Sequence, residues 1–309
     1  YANCEDEALP AETAYQIGSA AILVANPRNF KHGLKVVGLS QKKDPTYLPS
    51  FVRAGEIYAV KYHYADARSE FESALKLNPR SPAAHVGLAG LEAFDREFEK
   101  AEQHVREALK TDPRSVPALL ALAELEFIDD QNAKALEFCD QALQVNPNHP
   151  DALLFKSAIA FLDGQAELYA AAREKLMAIY DLLPFADDEA RDETRQIGAA
   201  RLYALMANVL SGNHRIEEAL PLAEKAAEAD PENGDAQATL GICLMRHGME
   251  KEAKPVLDEA FKLDPFNVWV SNLRKLLGRA NQYSALETKR FALQVYEKDK
   301  KYQEAQFNL

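Results

Sequence analysis

The seven histidines are the residues of this 309-residue sequence best suited to metal chemistry, but their spacing does not support it. A zinc-binding helix places two histidines four residues apart, as in His-Glu-x-x-His, so that both imidazoles project from one face. No two histidines here have that spacing, since they stand at positions 32, 63, 85, 104, 149, 214 and 247. We therefore predict no metal site in these residues.

The cysteines and glycines form no catalytic or phosphate-binding motif either. Cys4, Cys139 and Cys243 are far apart and odd in number, so they match neither a Cys-x-x-Cys pair nor a disulfide framework. Cys139 and Cys243 fall within helical patterns and are expected to be small core residues. Gly87 and Gly90 are predicted to lie inside a helix and not in a phosphate-binding loop. We find no catalytic constellation, and we expect no enzymatic activity and no cofactor.

Charge and hydropathy narrow the classes of partner. The 36 Lys and Arg residues against 48 Asp and Glu residues give a formal net charge of −12, which repels phosphate backbones and argues against nucleic-acid binding. The best apolar run, AAILVA at 20–25, is far shorter than the ~20 residues that span a bilayer. The sequence begins with Tyr1, so any export signal would precede it and the compartment is not indicated.

A regular spacing of prolines indicates which elements must position any functional side chain. Successive prolines of this set are 34 residues apart, except for one interval of 84, which is two such units plus 16 residues. Proline ends a helix, and the Asn or Asp before most of these prolines favours a turn. The sequence therefore predicts repeated helix pairs ending at Pro45, Pro79, Pro113, Pro147, Pro231 and Pro265.

Small residues recur at fixed points of these units, where two antiparallel helices would approach closely. Position eight is small in all seven units, and positions 20 and 27 are small in all units but the expanded one. At position eight the residues are Ala21, Gly55, Ala89, Ala123, Ser157, Ala207 and Gly241.

This pattern resembles the tetratricopeptide repeat (TPR) family, most closely in FVRAGEIYAVKYHYADARSEFESALKLNP at 51–79. The resemblance implies an all-α fold, a right-handed superhelix (α-solenoid) of about seven helix pairs with a capping helix and a short strand-like tail. It also implies that the first helix of each pair lines a concave groove that binds peptides or protein partners. The chain is then expected to act as a non-catalytic scaffold that binds proteins or peptides.

The repeat divides the chain into four regions. Residues 1–13 are a flank, 14–267 the TPR array, 268–282 the capping helix and 283–309 a tail. The array's units are 14–47, 48–81, 82–115, 116–149, an expanded 150–199, 200–233 and 234–267. The 16 extra residues of the fifth unit are either a surface insertion or a docking element for a following domain. Trp269 is expected to pack beneath the cap.

The resemblance also places the groove residues. Members of the family that grip the carboxylate end of a chaperone peptide use Lys and Asn at positions five and nine, which are Val52 and Glu56 here, so that clamp is absent. The remaining surface is apolar with sparse charge, and it would take either an apolar peptide or another part of the same polypeptide. The candidate groove residues are Val52, Glu56, Val86, Leu120, Glu124, Leu154, Arg201, Asn208, Ile242 and Arg246.

In the tail, the spacing of apolar residues changes from a helical period to a period of two. In RFALQVYEKD, residues 290–299, Phe291, Leu293 and Val295 alternate as in a half-buried strand, and one strand needs partners, which we expect beyond Leu309 or on the array. ETKRFALQVYEKD at 287–299 resembles the start of a gluzincin-type, aminopeptidase-like zinc metallopeptidase domain, which follows such repeats in some bacterial proteins. The chain would then be the recognition arm that presents substrates to that domain; otherwise it is a free-standing adaptor.

Overall fold

The computed structural model describes residues 10–23, 27–181, 188–212, 214–280, 283–287 and 292–296. In this part of the chain, helices α1 to α15 form consecutive antiparallel pairs with α15 as a single last helix, and strands β1 and β2 follow. The elements are α1 Ala11–Leu23, α2 Pro27–Lys43, α3 Leu48–Val60, α4 Tyr64–Leu77, α5 Pro82–Phe94, α6 Phe98–Thr111, α7 Val116–Ile128, α8 Asn132–Val145, α9 Pro150–Leu162, α10 Ala166–Asp181, α11 Asp188–Gly212, α12 Ile216–Ala229, α13 Gly234–Arg246, α14 Glu250–Leu263, α15 Val268–Ala280, β1 Tyr283–Glu287 and β2 Ala292–Tyr296. The all-α superhelix predicted from the repeat is confirmed.

The Asn-Pro and Asp-Pro turns that join one pair to the next share one hydrogen-bonding scheme. The side-chain oxygen of the Asn or Asp accepts a hydrogen bond from the backbone N–H two residues later, over 3.0 Å at Asn78 and Asp112 and 3.1 Å at Asn146 and Asp264. This local bond competes with continued helix, and the following proline cannot donate to the preceding turn. The same local bond therefore recurs at these four turns.

The turn inside the six pairs from α3–α4 onward also repeats, through a left-handed backbone residue after the first helix. In four of the pairs this residue is not glycine, although glycine has the lowest conformational cost there. The residues are Tyr62, Arg96, Asp130, Gly164, His214 and Gly248, with φ between 57° and 78°.

The core is a series of small clusters, each formed where neighbouring pairs pack. Phe71 on α4 is 1% exposed, and its ring lies between Gly55 on α3 and Gly87 on α5. A Cβ atom at Gly87 would be only 2.3 Å from the Phe71 Cζ atom, so the small residues of the repeat create space for this ring. Cys139 and Cys243 are both fully buried, which confirms that they are core residues, and burial raises the pKa of the Cys139 thiol to about 12.

The expanded fifth unit keeps the pairing of α9 with α10, and its extra length lies in α10 and at the beginning of α11. Helix α10 has 16 residues and α11 has 25, whereas the first helices α9 and α13 have 13 each. The helices predicted from about Glu167 and Asp188 are present, and Pro184 lies outside the described residues.

Two predictions about the C-terminal part are wrong. Trp269 on α15 is 43% exposed because it projects from the cap instead of packing beneath it. Strand β2 is not a single strand, because β1 pairs with it antiparallel, from Tyr283 opposite Tyr296 to Glu287 opposite Ala292. The short connection makes this pairing a local hairpin. Cys4 and Phe291 lie outside the described residues.

Candidate functional site

First helices that are distant in sequence surround a concave cavity of 470 Å³, here named the inter-turn cavity. Helices α9, α11 and α13 form one wall, and the end of α3 forms the other. Four of the ten candidate groove residues line it: Leu154, Arg201, Asn208 and Ile242. The four side chains come from three units, with Arg201 and Asn208 both on α11, and the superhelix brings them to one site.

The other candidate residues lie outside this cavity. Val52 is 7% exposed and packs in the core with Phe71 and Leu88, so little of it faces a groove. Val86 and Leu120 are half-buried against neighbouring core clusters. The remaining three are exposed polar residues: Glu56, which pairs with Arg53 at 3.0 Å, Arg246, whose guanidinium donates to Ser211 Oγ at 2.7 Å, and Glu124.

The polar side chains of the cavity are held by neighbours on other helices. Arg201 forms an ion pair with Asp151 at 2.9 Å, and the Asn208 amide donates to Thr239 Oγ1 at 3.2 Å. Asn208 has two amide donors and one carbonyl acceptor, and the bond to Thr239 uses one donor. An extended peptide backbone presents the complementary N–H and C=O groups, so Asn208 can bond to it without losing its contact with Thr239.

The second wall of the cavity is formed by a contact between the second unit of the array and the end of its last unit. Lys61 Nζ donates to Asp264 Oδ2 at 2.5 Å, across 203 positions of sequence. The rings of Tyr62 and Trp269 meet edge to face, with centroids 6.5 Å apart. We name these four residues the joint. Because of the joint, Ala59, Val60 and Tyr62 line the same cavity as Asn208 and Ile242.

Two carboxyl groups on the concave side are crowded by protein although their side chains keep contact with solvent. Desolvation by the surrounding helices raises the pKa of Asp235, which lines the cavity, while Lys61 and Arg201 oppose that shift. Desolvation also raises the pKa of Glu124, for which no hydrogen bond or ion pair is observed among the described residues. Desolvation on a concave surface strengthens charge interactions with any bound segment.

Sequence reasoning missed three residues that line the cavity. Tyr62 follows α3 at the left-handed turn position, and Asp235 and Thr239 lie on α13. The repeat register could have indicated Asp235, at position two of its unit, but not Thr239, which stands at position six and is 4% exposed. Nothing in the sequence indicated Tyr62, because its place in the cavity depends on how far the whole superhelix turns.

Other polar clusters carry no assignable chemistry. His85 Nε2 donates to the Pro79 carbonyl at 3.0 Å, and His85 Nδ1 lies 3.0 Å from His104 Nδ1, a partly buried contact between α5 and α6 that spacing did not predict. Within the part of the chain that the structure describes, no three His, Cys, Asp or Glu residues are grouped closely enough to hold a metal ion. No described helix is both long and apolar enough to cross a membrane.

Comparison with solved structures supports the fold. The crystal structure of yeast Tom70 is similar over 90% of this chain and 56% of its own length, with 17% identity and a TM-score of 0.50. This chain thus spans about half of the Tom70 chain. The pilF protein of Pseudomonas aeruginosa matches 74% of this chain and 95% of its own at 14% identity and a TM-score of 0.46. TTC0263, a TPR protein of Thermus thermophilus, matches 64% and 99% at 21% identity and a TM-score of 0.47.

Comparison with protein families identifies the repeat. The tetratricopeptide repeat model matches residues 62–124 and 210–279, which include residues from both sides of the joint. No curated protein sequence matches the chain significantly. The identities to solved structures are too low to transfer any property but the fold. Residues 62–124 and 210–279 therefore match tetratricopeptide repeats, and the likeness to solved structures supports the superhelical fold of the array.

Proposed function

We propose that this chain binds an extended peptide segment of a protein partner on its concave side, with the inter-turn cavity as the anchoring point. The observation that carries the proposal is the meeting of Leu154, Arg201, Asn208 and Ile242 around one cavity of 470 Å³. Apolar side chains there would take an apolar side chain of the peptide, while Asn208 and Arg201 would bond to its backbone or to a polar neighbour.

The cavity's chemistry supports a peptide more than a small charged ligand. Its apolar wall is interrupted by both signs of charge, with Arg201 and Lys61 near Asp235. A ligand of one sign would be attracted by one group and repelled by the other. A peptide backbone is neutral and has alternating donors and acceptors, so it fits a surface that offers amide and hydroxyl groups such as Asn208 and Thr239.

We place this binding within a larger protein, in which the array is the recognition arm. The support is the tail, where 287–299 resembles the start of a zinc metallopeptidase domain. In that arrangement the array presents a substrate segment to the following domain. The second candidate is a free-standing adaptor in complex assembly. The mass of the native protein, with the sequence downstream of Leu309, distinguishes the two.

The peptide proposal is tested by selection followed by titration. The immobilised 309-residue chain selects from displayed random peptides of about twelve residues, long enough to cross a groove. Selected peptides are labelled and titrated by fluorescence anisotropy. We expect the double substitution of Asn208→Ala and Ile242→Ala to weaken binding at least about tenfold, which corresponds to ~1.4 kcal/mol lost from one hydrogen bond and one apolar contact.

The matched control is Ile128→Ala. Ile128 lies at the end of α7, is 43% exposed and stands outside the cavity lining, so its truncation should leave the affinity unchanged. Circular dichroism and thermal melting verify that each variant is folded. If peptides bind the cavity variant and the wild type equally, or if selection recovers no peptide, the cavity is not the anchoring point.

A further inference from the structure

The joint connects parts of the described array that are far apart in sequence, and it differs in kind from the packing between repeats. Every extensive contact between described elements joins helices no more than two apart in chain order, as nearest-neighbour stacking requires. The joint connects the end of α3 with the ends of α14 and α15, on opposite edges of the superhelix. The superhelix therefore completes about one turn, and its second unit touches the end of its last unit.

The turns of the repeat position the side chains on both sides of the joint. Asp264 is the residue before Pro265, and its Oδ1 accepts the turn's hydrogen bond from the Phe266 N–H at 3.1 Å. That bond orients the other carboxylate oxygen, Oδ2, toward Lys61. Tyr62 is placed by the left-handed residue position of its own pair, with φ of 61°. No additional loop or insertion is needed to form the contact.

The charged side chains of the joint are poorly exposed, which distinguishes them from an incidental surface pair. The exposed fractions of the Lys61 and Asp264 side chains are 17% and 13%. The C-terminal end of α3 also faces the N-terminal ends of α13 and α15, since residues at those ends line one cavity. The partial charges of these helix ends are of opposite sign, so the approach is electrostatically favourable.

The joint nevertheless consists of few groups, whereas each repeat packs on its neighbours through a buried cluster such as that around Phe71. When an elongated array deforms, the seam with the fewest contacts separates first. Opening the joint would remove the wall made by Ala59, Val60 and Tyr62 and would expose the apolar wall on α9, α11 and α13. The cavity is therefore complete only in the closed form.

We propose that the joint is a gate to the inter-turn cavity, which opens to admit the partner and closes over it. A gate of this size admits a flexible, single polypeptide segment and not a folded domain, because the closed cavity of 470 Å³ holds only a few side chains. The identity of the occupant rests on the proposed function, whereas the opening of the joint does not.

Trp269 makes the gate directly measurable, because it is the single tryptophan of the sequence and belongs to the joint. The test variant is Asp264→Asn in the full chain. An Asn at this position is expected to keep the turn, because Asn78 and Asn146 make the same turn bond. The substitution removes the negative charge that binds Lys61. The matched control is Asp112→Asn, the same change at the same turn position away from the joint. Lys61→Gln tests the other partner.

We expect Asp264→Asn and Lys61→Gln to increase acrylamide quenching of Trp269 and the radius of gyration from small-angle X-ray scattering. We also expect them to accelerate both association and dissociation of a peptide selected as described above. Asp112→Asn should match the wild type in all these measurements. Peptide kinetics that stay at the wild-type values while quenching rises would overturn the gate and leave peptide binding intact.

Two further outcomes separate the gate from the proposed function. If Trp269 quenching and the radius of gyration are unchanged in both joint variants, the joint does not hold the array closed and the gate is overturned, whatever the peptides do. If no peptide binds the wild type, the proposed function fails, and the gate is supported only if the joint variants still open the array in the absence of a ligand.

Discussion

The surroundings of Phe71 and the joint show two different ways in which this chain holds itself together. Phe71 is enclosed by residues of neighbouring helices, Gly55 and Gly87, and is 1% exposed. The joint brings Lys61 to Asp264 across 203 positions and the Tyr62 ring to the Trp269 ring. The first contact is apolar and repeated along the array, whereas the second is polar and depends on the sum of all the intervening turns.

This difference implies that stability and shape are controlled at separate places. The clusters between neighbouring repeats supply nearly all of the buried apolar surface, and they should determine the free energy of unfolding. The joint contributes little to that free energy and should determine whether the concave side is closed. The comparison can be tested by changing each kind of contact, beginning with the largest expected effect.

Phe71→Ala should be the most destabilising change. Removing a fully buried ring that lies between two glycines leaves a cavity that rigid helices cannot fill, and we expect the free energy of unfolding to fall by ~3–5 kcal/mol. Urea unfolding followed by circular dichroism measures this. Phe94→Ala, at a side chain that is 48% exposed, is the control and should cost far less. Equal costs at the two sites would break the comparison.

Replacing Gly87 or Gly90 of α5 by alanine should change the stability of the chain in opposite directions. At Gly87 the new Cβ atom would meet the buried Phe71 ring at 2.3 Å, and we expect a loss of ~1–3 kcal/mol from overpacking. At Gly90 no atom lies within 4 Å of the new Cβ, so the better helix propensity of alanine should stabilise the chain by up to ~1 kcal/mol. Thermal melts of the two single variants give the signs directly.

The contact between His85 and His104 predicts a dependence of stability on pH within one repeat. Burial of His104, with the His85 charge beside it, lowers the pKa of His104, although Glu92 and Glu107 oppose that shift and Arg68 adds to it. The folded chain therefore holds His104 neutral. This stability is fully present above the unfolded pKa of about 6.5 and is lost as the pH falls below it through the folded pKa.

The check is the urea midpoint measured above and below about pH 6.5, for the wild type and for His104→Gln. The wild type should lose more stability on acidification than the variant, because only the wild type has His104 to protonate. The contributions of the other titrating groups are the same in both proteins and cancel in the comparison. Identical pH profiles would show that His104 protonation is not coupled to folding.

The smallest effect on unfolding should come from the joint itself. Lys61→Ala removes the ion pair with Asp264 and leaves every cluster between repeats intact. We expect an unfolding midpoint close to that of the wild type even where Trp269 quenching changes. A loss as large as that of Phe71→Ala would mean that the joint is part of the cooperative core.

The repeat made most of the fold predictable. Prolines and small residues recur with the period of the helix pairs, so element type, helix positions and the burial of Cys139 followed from local pattern alone. Four candidate groove residues meet at the cavity for the same reason, since a common register places them on first helices. Each of these inferences needs only the geometry of one pair and its neighbour.

The remainder depends on distances that no local pattern contains. Tyr62 and Trp269 each stand at an ordinary repeat position, and their contact results from small rotations summed over the intervening units. Trp269 was expected beneath the cap because aromatic burial is usually favourable, but its partner Tyr62 is in the second unit of the array. The hairpin was missed because YSALE at 283–287 has weak strand propensity and gains its partner from β2.

The length of α11 gives the scaffold a reach that its other first helices lack. At 1.5 Å per residue, its 25 residues extend about 38 Å, against about 20 Å for the 13 residues of α13. The additional length precedes the stretch that pairs with α12. The helix that carries Arg201 and Asn208 of the cavity therefore extends about 18 Å beyond the length of α13.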